Sequence, residues 1–486
     1  MDHVIPSLQT LLDPLSCCFR AEVFSTFTLM TAAWILCVGR RCISRVWETT
    51  GRSKDHSHCP AFRLFSEAVW NWDEVAKVLL VQLLLTFIPG GSIWLVIDDT
   101  LCHKRGASVA FGGIFLDAVL STKKHKTLRF GNNWVTLGLI VVLPFRKDRP
   151  FCLNILWRVC SKKDKKNPKD HRTKPELAGE LLATIASWLP GRELIAVGDS
   201  AYIGKKLLGN LPKNLSVVGP IHKQGVLTKP LAADAKKNRK IGDRLTTATE
   251  AFADDSGWQD LLLHHTKGEK NLKVKVLGPC CWYACAKQRL LQVVLVRDPD
   301  KKWRDEALMS TDLSLSAEQV ILGYMKRWSV EVAYSDAKQM LGFHEPMVRT
   351  VKSVQRAHPM AWFAGTLVVL WYARTGITEE QANRHRPWYK NKVSPTFSDM
   401  LACLRRTSLN EWLDKEPENR EEKVNWLVEY IATANVERVA PLERHDQRAT
   451  SCEVRDTKSL HEFADARCLP QRASRKDKPT SIATLS

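Results

Sequence analysis

No apolar run in these 486 residues is long enough to cross a bilayer: Phe27 to Val38, Val78 to Ile88 and Met360 to Ala373 all fall short of the roughly 20 residues a spanning helix needs. These runs are expected to be buried helices, and no membrane partner is expected. An export signal is not expected either, because Asp2, His3 and Asp13 occupy the place of a basic and then apolar leader. Paired C-x-x-C motifs are also missing. The 14 cysteines are scattered singly or as neighbours (Cys17/Cys18, Cys280/Cys281), and Cys285 has no matching cluster, which argues against structural zinc and for reduced thiols in a cytoplasmic protein. There is no internal repeat.

What the chain has in excess is positive charge. Lys and Arg number 72 against 52 Asp and Glu, a net +20, and such a balance favours polyanionic partners, nucleic acid first. With 44% apolar residues the chain can bury a large core, and its length suggests several domains.

From Met1 to about residue 90 apolar residues recur at three- and four-residue intervals, predicting a helical N-terminal domain (1–90). Its segment "GRRCISRVWETTGRSK" is compatible with a DNA-reading helix-turn-helix or with ordinary bundle packing. The period then changes. "GGSIWLVIDDT" reads as a buried strand that stops at Asp98 and Asp99, and "TLRFGNNWVTLGLIVVLPF" as two strands around a Gly131-Asn132-Asn133 turn. A basic connector (161–175), an amphipathic helix, a strand ending at Asp199 ("ELIAVGDSAY") and a further helix complete an α/β unit over 91–212. Residues 213–315 are strand-rich and predict an insertion beside the first sheet. Residues 316–375 return to helix. The region 376–486 is helical and ends in a basic tail after Leu469.

Ligands of open α/β sheets gather at the carboxyl ends of strands, where this chain places Asp98 or Asp99 and Asp199. Carboxylates gathered there repel one another unless a hard divalent cation holds them, and Mg2+ or Mn2+ suits oxygen donors. The bland alternative is that each acid serves as a turn residue or helix cap. A third acid stands in "YMKRWSVEVAYSDAK". Tyr324, Arg327, Glu331 and Lys338 are spaced by three, four and seven residues, so one helix would present all four within a sector of roughly 60°. By default Arg327 and Glu331 would form a solvated ion pair. Two metal ions held by three such acids would activate an attacking oxygen and stabilise a leaving one.

The spacing Y-x-x-R-x-x-x-E-x-x-x-x-x-x-K, matched by Tyr324, Arg327, Glu331 and Lys338, resembles the hallmark of the cut-and-paste DDE transposases of bacterial insertion sequences. "IDDTLCHKRG" and "GDSAY" look like the segments around that family's first and second acids, so the resemblance spans roughly Trp94 to Tyr372. It implies a ribonuclease H-like mixed sheet flanked by helices, with a strand-rich insertion. It also implies that Asp98, Asp199 and Glu331 hold two Mg2+ ions, with Mn2+ as a substitute. Asp98 is preferred for its D-x-T context, and Asp99 remains the alternative, since neighbours on a strand face opposite ways. Tyr324, Arg327 and Lys338 would grip DNA beside the cut, and Trp282 or Trp303 of the insertion would stack a flipped base unless they pack in the core. Lys104 and Arg105, with Lys123, Lys124, His125 and Lys126, would follow the DNA backbone. The expected activity is hydrolysis at the element's ends and joining of the freed 3'-hydroxyls to target DNA, by a homodimer on paired ends in the bacterial cytoplasm, associated with the nucleoid. The rivals are a ribonuclease H-like nuclease without strand transfer and a catalytically inactive DNA-binding regulator.

Overall fold

The computed structural model describes residues 4–434 apart from 107, 123, 162–170, 232–240, 266–267, 285, 378–391 and 393. The basic tail, Lys123 and most of the basic connector therefore lie outside the described residues.

The architecture follows from one long apolar strand and the helices that cover it. β1 (Ile93–His103) is buried along most of its length, and a strand hidden on both faces must be central. It pairs antiparallel with β3 (Leu128–Leu143) and parallel with β5 (Leu194–Val197), which pairs parallel with β6 (Leu215–Pro220). β4 (Arg146–Val159) and the short β2 (Gly113–Leu116) flank β3 on its other side. The order β4-β3-β1-β5-β6, with three parallel strands beside an antiparallel pair, is that of a ribonuclease H-like mixed sheet.

The strand-rich segment does not lie beside this sheet but continues it. β12 (Glu306–Ser310) pairs with β6, and β11 (Ala286–Arg297), β10 (Gly268–Trp282), β7 (Val226–Thr228) and β8 (Arg244–Thr247) follow, with β9 (Gln259–His265) on β10, giving a twelve-stranded sheet. A strand edge left open at β6 would expose unpaired N–H and C=O groups, and β12 covers it.

The Gly131-Asn132-Asn133 turn is not formed. The three residues run inside β3, opposite His103, Cys102 and Leu101. A Cβ on Gly131 would lie 2.1 Å from the Cys102 carbonyl oxygen, so the glycine serves close strand approach rather than a turn. Asn132 donates from Nδ2 to the Ala110 carbonyl at 2.8 Å, which replaces the local hydrogen bond a turn would have used.

Helices cover the first sheet. α2 (Ala21–Leu36) is buried from Phe27 onward, and α5 (Trp72–Phe87), capped by Asn71, leads into β1. α12 (Met360–Arg374) is almost wholly buried against β4 and α2. Trp72, Trp157, Trp362 and Phe343 interlock between these helices and the sheet, with ring centroids 4.4 to 5.7 Å apart along the chain of contacts. Residues 4–90 thus share one continuous core with the sheet. Within the expected helix-turn-helix segment, α3 (Ile43–Thr49) buries Arg45, whose guanidinium lies 4.1 Å from the Tyr430 ring centroid and donates to the Tyr430 carbonyl. No helix among the described residues is long and apolar enough to cross a membrane. Every cysteine among them is free.

Candidate active site

β1 carries its two acids at adjacent positions, and the pleat sends them to opposite sides. Asp98, paired in register with Thr136 of β3, accepts through Oδ2 from Arg327 Nη1 and through Oδ1 from the backbone N–H of Asp99 at 2.8 Å. Asp99 turns the other way: its Oδ1 accepts from the Tyr202 hydroxyl at 2.7 Å and its Oδ2 from Lys174 Nζ at 2.5 Å.

The segment expected to be one helix is divided. α9 (Ala317–Met325) ends before a 3₁₀ turn, Lys326–Trp328, and α10 (Ser329–Met340) follows. The backbone stays right-handed through the tighter turn, and Arg327 still reaches Glu331 four residues on. Tyr324 thus sits on α9, Arg327 in the turn, and Glu331 and Lys338 on α10. Two contacts dock this helical unit on the sheet. Gly323 lets α9 lie against Trp94 of β1, where a Cβ would meet the indole at 2.3 Å. Tyr334, one turn after Glu331, shares a buried 2.6 Å hydrogen bond with Thr136, the residue opposite Asp98.

The result is a buried guanidinium between two carboxylates. Arg327 reaches Asp98 from one side and Glu331 Oε1, at 3.2 Å, from the other. The Arg327 side chain is 7% exposed, that of Asp98 13% and that of Glu331 43%. Asp98 is pushed up to about 7, chiefly by burial. Arg327 pulls against the rise, and the charges of Asp199, Asp99 and Glu331 add to it. Asp199, just past β5, is near enough for its charge to be felt at Asp98; its own Oδ1 accepts from the Ala201 N–H at 2.9 Å.

Asp98, with the charges of Asp199 and Glu331 felt at it, makes a negative locale, and hard oxygen donors are what a divalent ion of the Mg2+ class takes. Among the described residues no three His, Cys, Asp or Glu side chains already stand in coordinating array. Arg327 lies between Asp98 and Glu331, bonded to both carboxylates. The residues present fit a hard cation by the chemistry of their donors.

The remaining sequence-predicted residues divide by burial. Tyr324 is 2% exposed, within electrostatic range of Arg327, Asp199 and Asp98. Lys338 is half-buried further along α10, its charge felt at Cys102 and His344. Arg105, Lys124 and Lys126 are exposed. Lys104 is not a surface cation: its ammonium donates to the carbonyls of His344 and Pro346, both at 2.9 Å, and pins the loop after α10. Trp282 and Trp303 are likewise core residues, 5% and 3% exposed, so neither indole face is open to a flipped base; their apolar area is used in packing the extended half of the sheet.

Tyr334, Thr136, Tyr202 and Lys174 support the site and were not singled out in the sequence. Only Tyr202 carried a signal, as the tyrosine of "GDSAY"; the others depend on which strands become neighbours.

A family model described as DDE superfamily endonuclease matches residues 14–274, more than half of the chain. The match takes in Asp98, Asp99 and Asp199 and stops before Glu331. No curated protein matches the chain. Endonucleases of this superfamily act on DNA and generally use divalent metal ions. This chain belongs to the DDE superfamily endonucleases.

Proposed function

We propose that the protein is a DNA transposase of the insertion-sequence type, which cuts phosphodiester bonds at the ends of its element and joins the freed 3'-hydroxyls to target DNA. The observation that carries this is the convergence of Asp98 and Glu331, 233 residues apart in sequence, on one buried guanidinium, with the charge of Asp199 felt at the same carboxylate. In this reading residues 91–212 and 316–375 form the catalytic unit, and 213–315 is the insertion.

Asp98, Asp199 and Glu331 would hold two Mg2+ ions. Bound there, the ions supply Lewis acidity and an activated oxygen nucleophile. Arg327 has a planar fork that fits a carboxylate or a phosphate equally well, so the group that neutralises Asp98 and Glu331 in the DNA-free protein can transfer its hydrogen bonds to the DNA backbone. Lys338 adds a point charge along α10, and the buried Tyr324 packs behind Arg327. Arg105, Lys124 and Lys126 extend the contact to backbone phosphates outside the cut. A homodimer on paired ends would let one complex cut both, in the cytoplasm and on the nucleoid.

The test uses duplexes built from the inverted repeats flanking the gene, with Mn2+ or Mg2+. Wild-type protein is expected to cleave them and to join a 3'-end to a second DNA, and Glu331→Gln to bind the duplex while cleaving at least about a hundredfold more slowly. Cleavage by Glu331→Gln at the wild-type rate refutes the site. Cutting without any joined product favours the nuclease.

A further inference from the structure

Adjacent acids on a strand cannot both face one site, and the partners of Asp99 show what the second one does. Its carboxylate is held at both oxygens, by Tyr202 and by Lys174 from the first turn of α6 (Lys174–Trp188). Tyr202 belongs to the turn that begins at Asp199. The N–H groups of Tyr202 and Ile203 both donate to the Asp199 carbonyl at 3.1 Å, and the N–H of Ala201 donates to the Asp199 side chain. That short turn is therefore tied to its acid at one end and, through the buried Tyr202 ring (1% exposed), to Asp99 at the other. Lys174 neutralises Asp99, so the tie brings no bare negative charge.

We propose that Asp99 is a positioning residue for Asp199, acting through the Tyr202 hydroxyl, so that the two neighbouring acids of β1 divide the work: Asp98 faces the ions and Asp99 fixes where the second strand's acid stands. The proposal rests on the carboxylate site described above. Partners that orient a ligand in this way typically change metal affinity by about 10- to 100-fold when removed.

Mn2+ binding to the protein in complex with a duplex of the flanking inverted repeats, followed by electron paramagnetic resonance against the duplex alone, tests it without reference to catalysis. Tyr202→Phe keeps the buried ring and removes only the hydroxyl. It is expected to weaken Mn2+ binding about tenfold while circular dichroism and the melting temperature stay close to wild type. Asp99→Asn, whose amide oxygen still accepts from Tyr202, should retain most of the affinity; Asp99→Ala should match Tyr202→Phe, and the double variant should be no worse than either. Wild-type affinity in Tyr202→Phe overturns the proposal and leaves the carboxylate site standing. Loss of binding in Asp99→Asn with retention in Asp98→Asn would make Asp99 the ligand and overturn it too. Binding that survives Asp199→Ala removes the site itself, and the proposal with it.

Discussion

Replacing Asp98 by asparagine should make the metal-free protein more stable. Asp98 titrates near 7 in the folded chain against 3.8 for an ordinary aspartate, chiefly because burial disfavours its charge, and Arg327 recovers only part of that loss. A gap of this size, at 1.36 kcal/mol per unit, corresponds to about 4 kcal/mol. The folded pKa is raised, so the folded state binds the extra proton between about pH 4 and 7, and stability falls as pH rises through that window. Above pH 7 the full cost is present; below pH 4 it vanishes. Asparagine resembles the protonated acid, still accepts from Arg327, and leaves Glu331 as the counter-charge. With an unfolding entropy of about 2.1 cal/mol/K per residue, about 4 kcal/mol in a chain of this length is roughly 4 °C in melting temperature. Differential scanning calorimetry in EDTA should find Asp98→Asn melting that much higher at pH 8, with the gap closing toward pH 4. A variant no more stable than wild type at pH 8, or a gap indifferent to pH, would refute the reasoning that function keeps a destabilising charge here.

Tyr334→Phe removes the hydroxyl that joins α10 to Thr136 and leaves a buried threonine oxygen unpaired, for a loss of about 1 to 3 kcal/mol in urea unfolding; an unchanged midpoint would show that the hydrogen bond does not hold α10 in place. Lys124→Gln with Lys126→Gln should lower the slope of log affinity against log salt for duplex DNA by about 1 for each phosphate no longer neutralised, read by fluorescence anisotropy, and an unchanged slope would remove these lysines from the interface.

Much of the site was legible because it depends on local pattern. The apolar runs before Asp98 and Asp199 locate both acids, although β1 does not stop at Asp98 but runs on to His103 in register with β3, and period two alone says that Asp98 and Asp99 part company. What sequence could not supply was the identity of neighbours. Gly131-Asn132-Asn133 looks like a turn until β1 comes within 2.1 Å of the missing Cβ. Lys104 reads as a surface cation until the loop after α10 offers it two carbonyls. Trp282 and Trp303 are aromatic in the right segment, but the extended sheet needs their bulk. The stripe from Tyr324 to Lys338 assumes one ideal helix, whereas the segment passes through a 3₁₀ turn at Lys326–Trp328, from which the guanidinium reaches Asp98 on β1 as well as Glu331 on α10.

A crystal structure of the protein with end DNA and Mn2+, with the manganese located by anomalous scattering, tests the central claim most directly. Two peaks about 3.5 to 4 Å apart, bound by oxygens of Asp98, Asp199 and Glu331 with Arg327 moved onto a phosphate, are predicted. Manganese bound elsewhere, or Arg327 still seated between Asp98 and Glu331 in that complex, would contradict it.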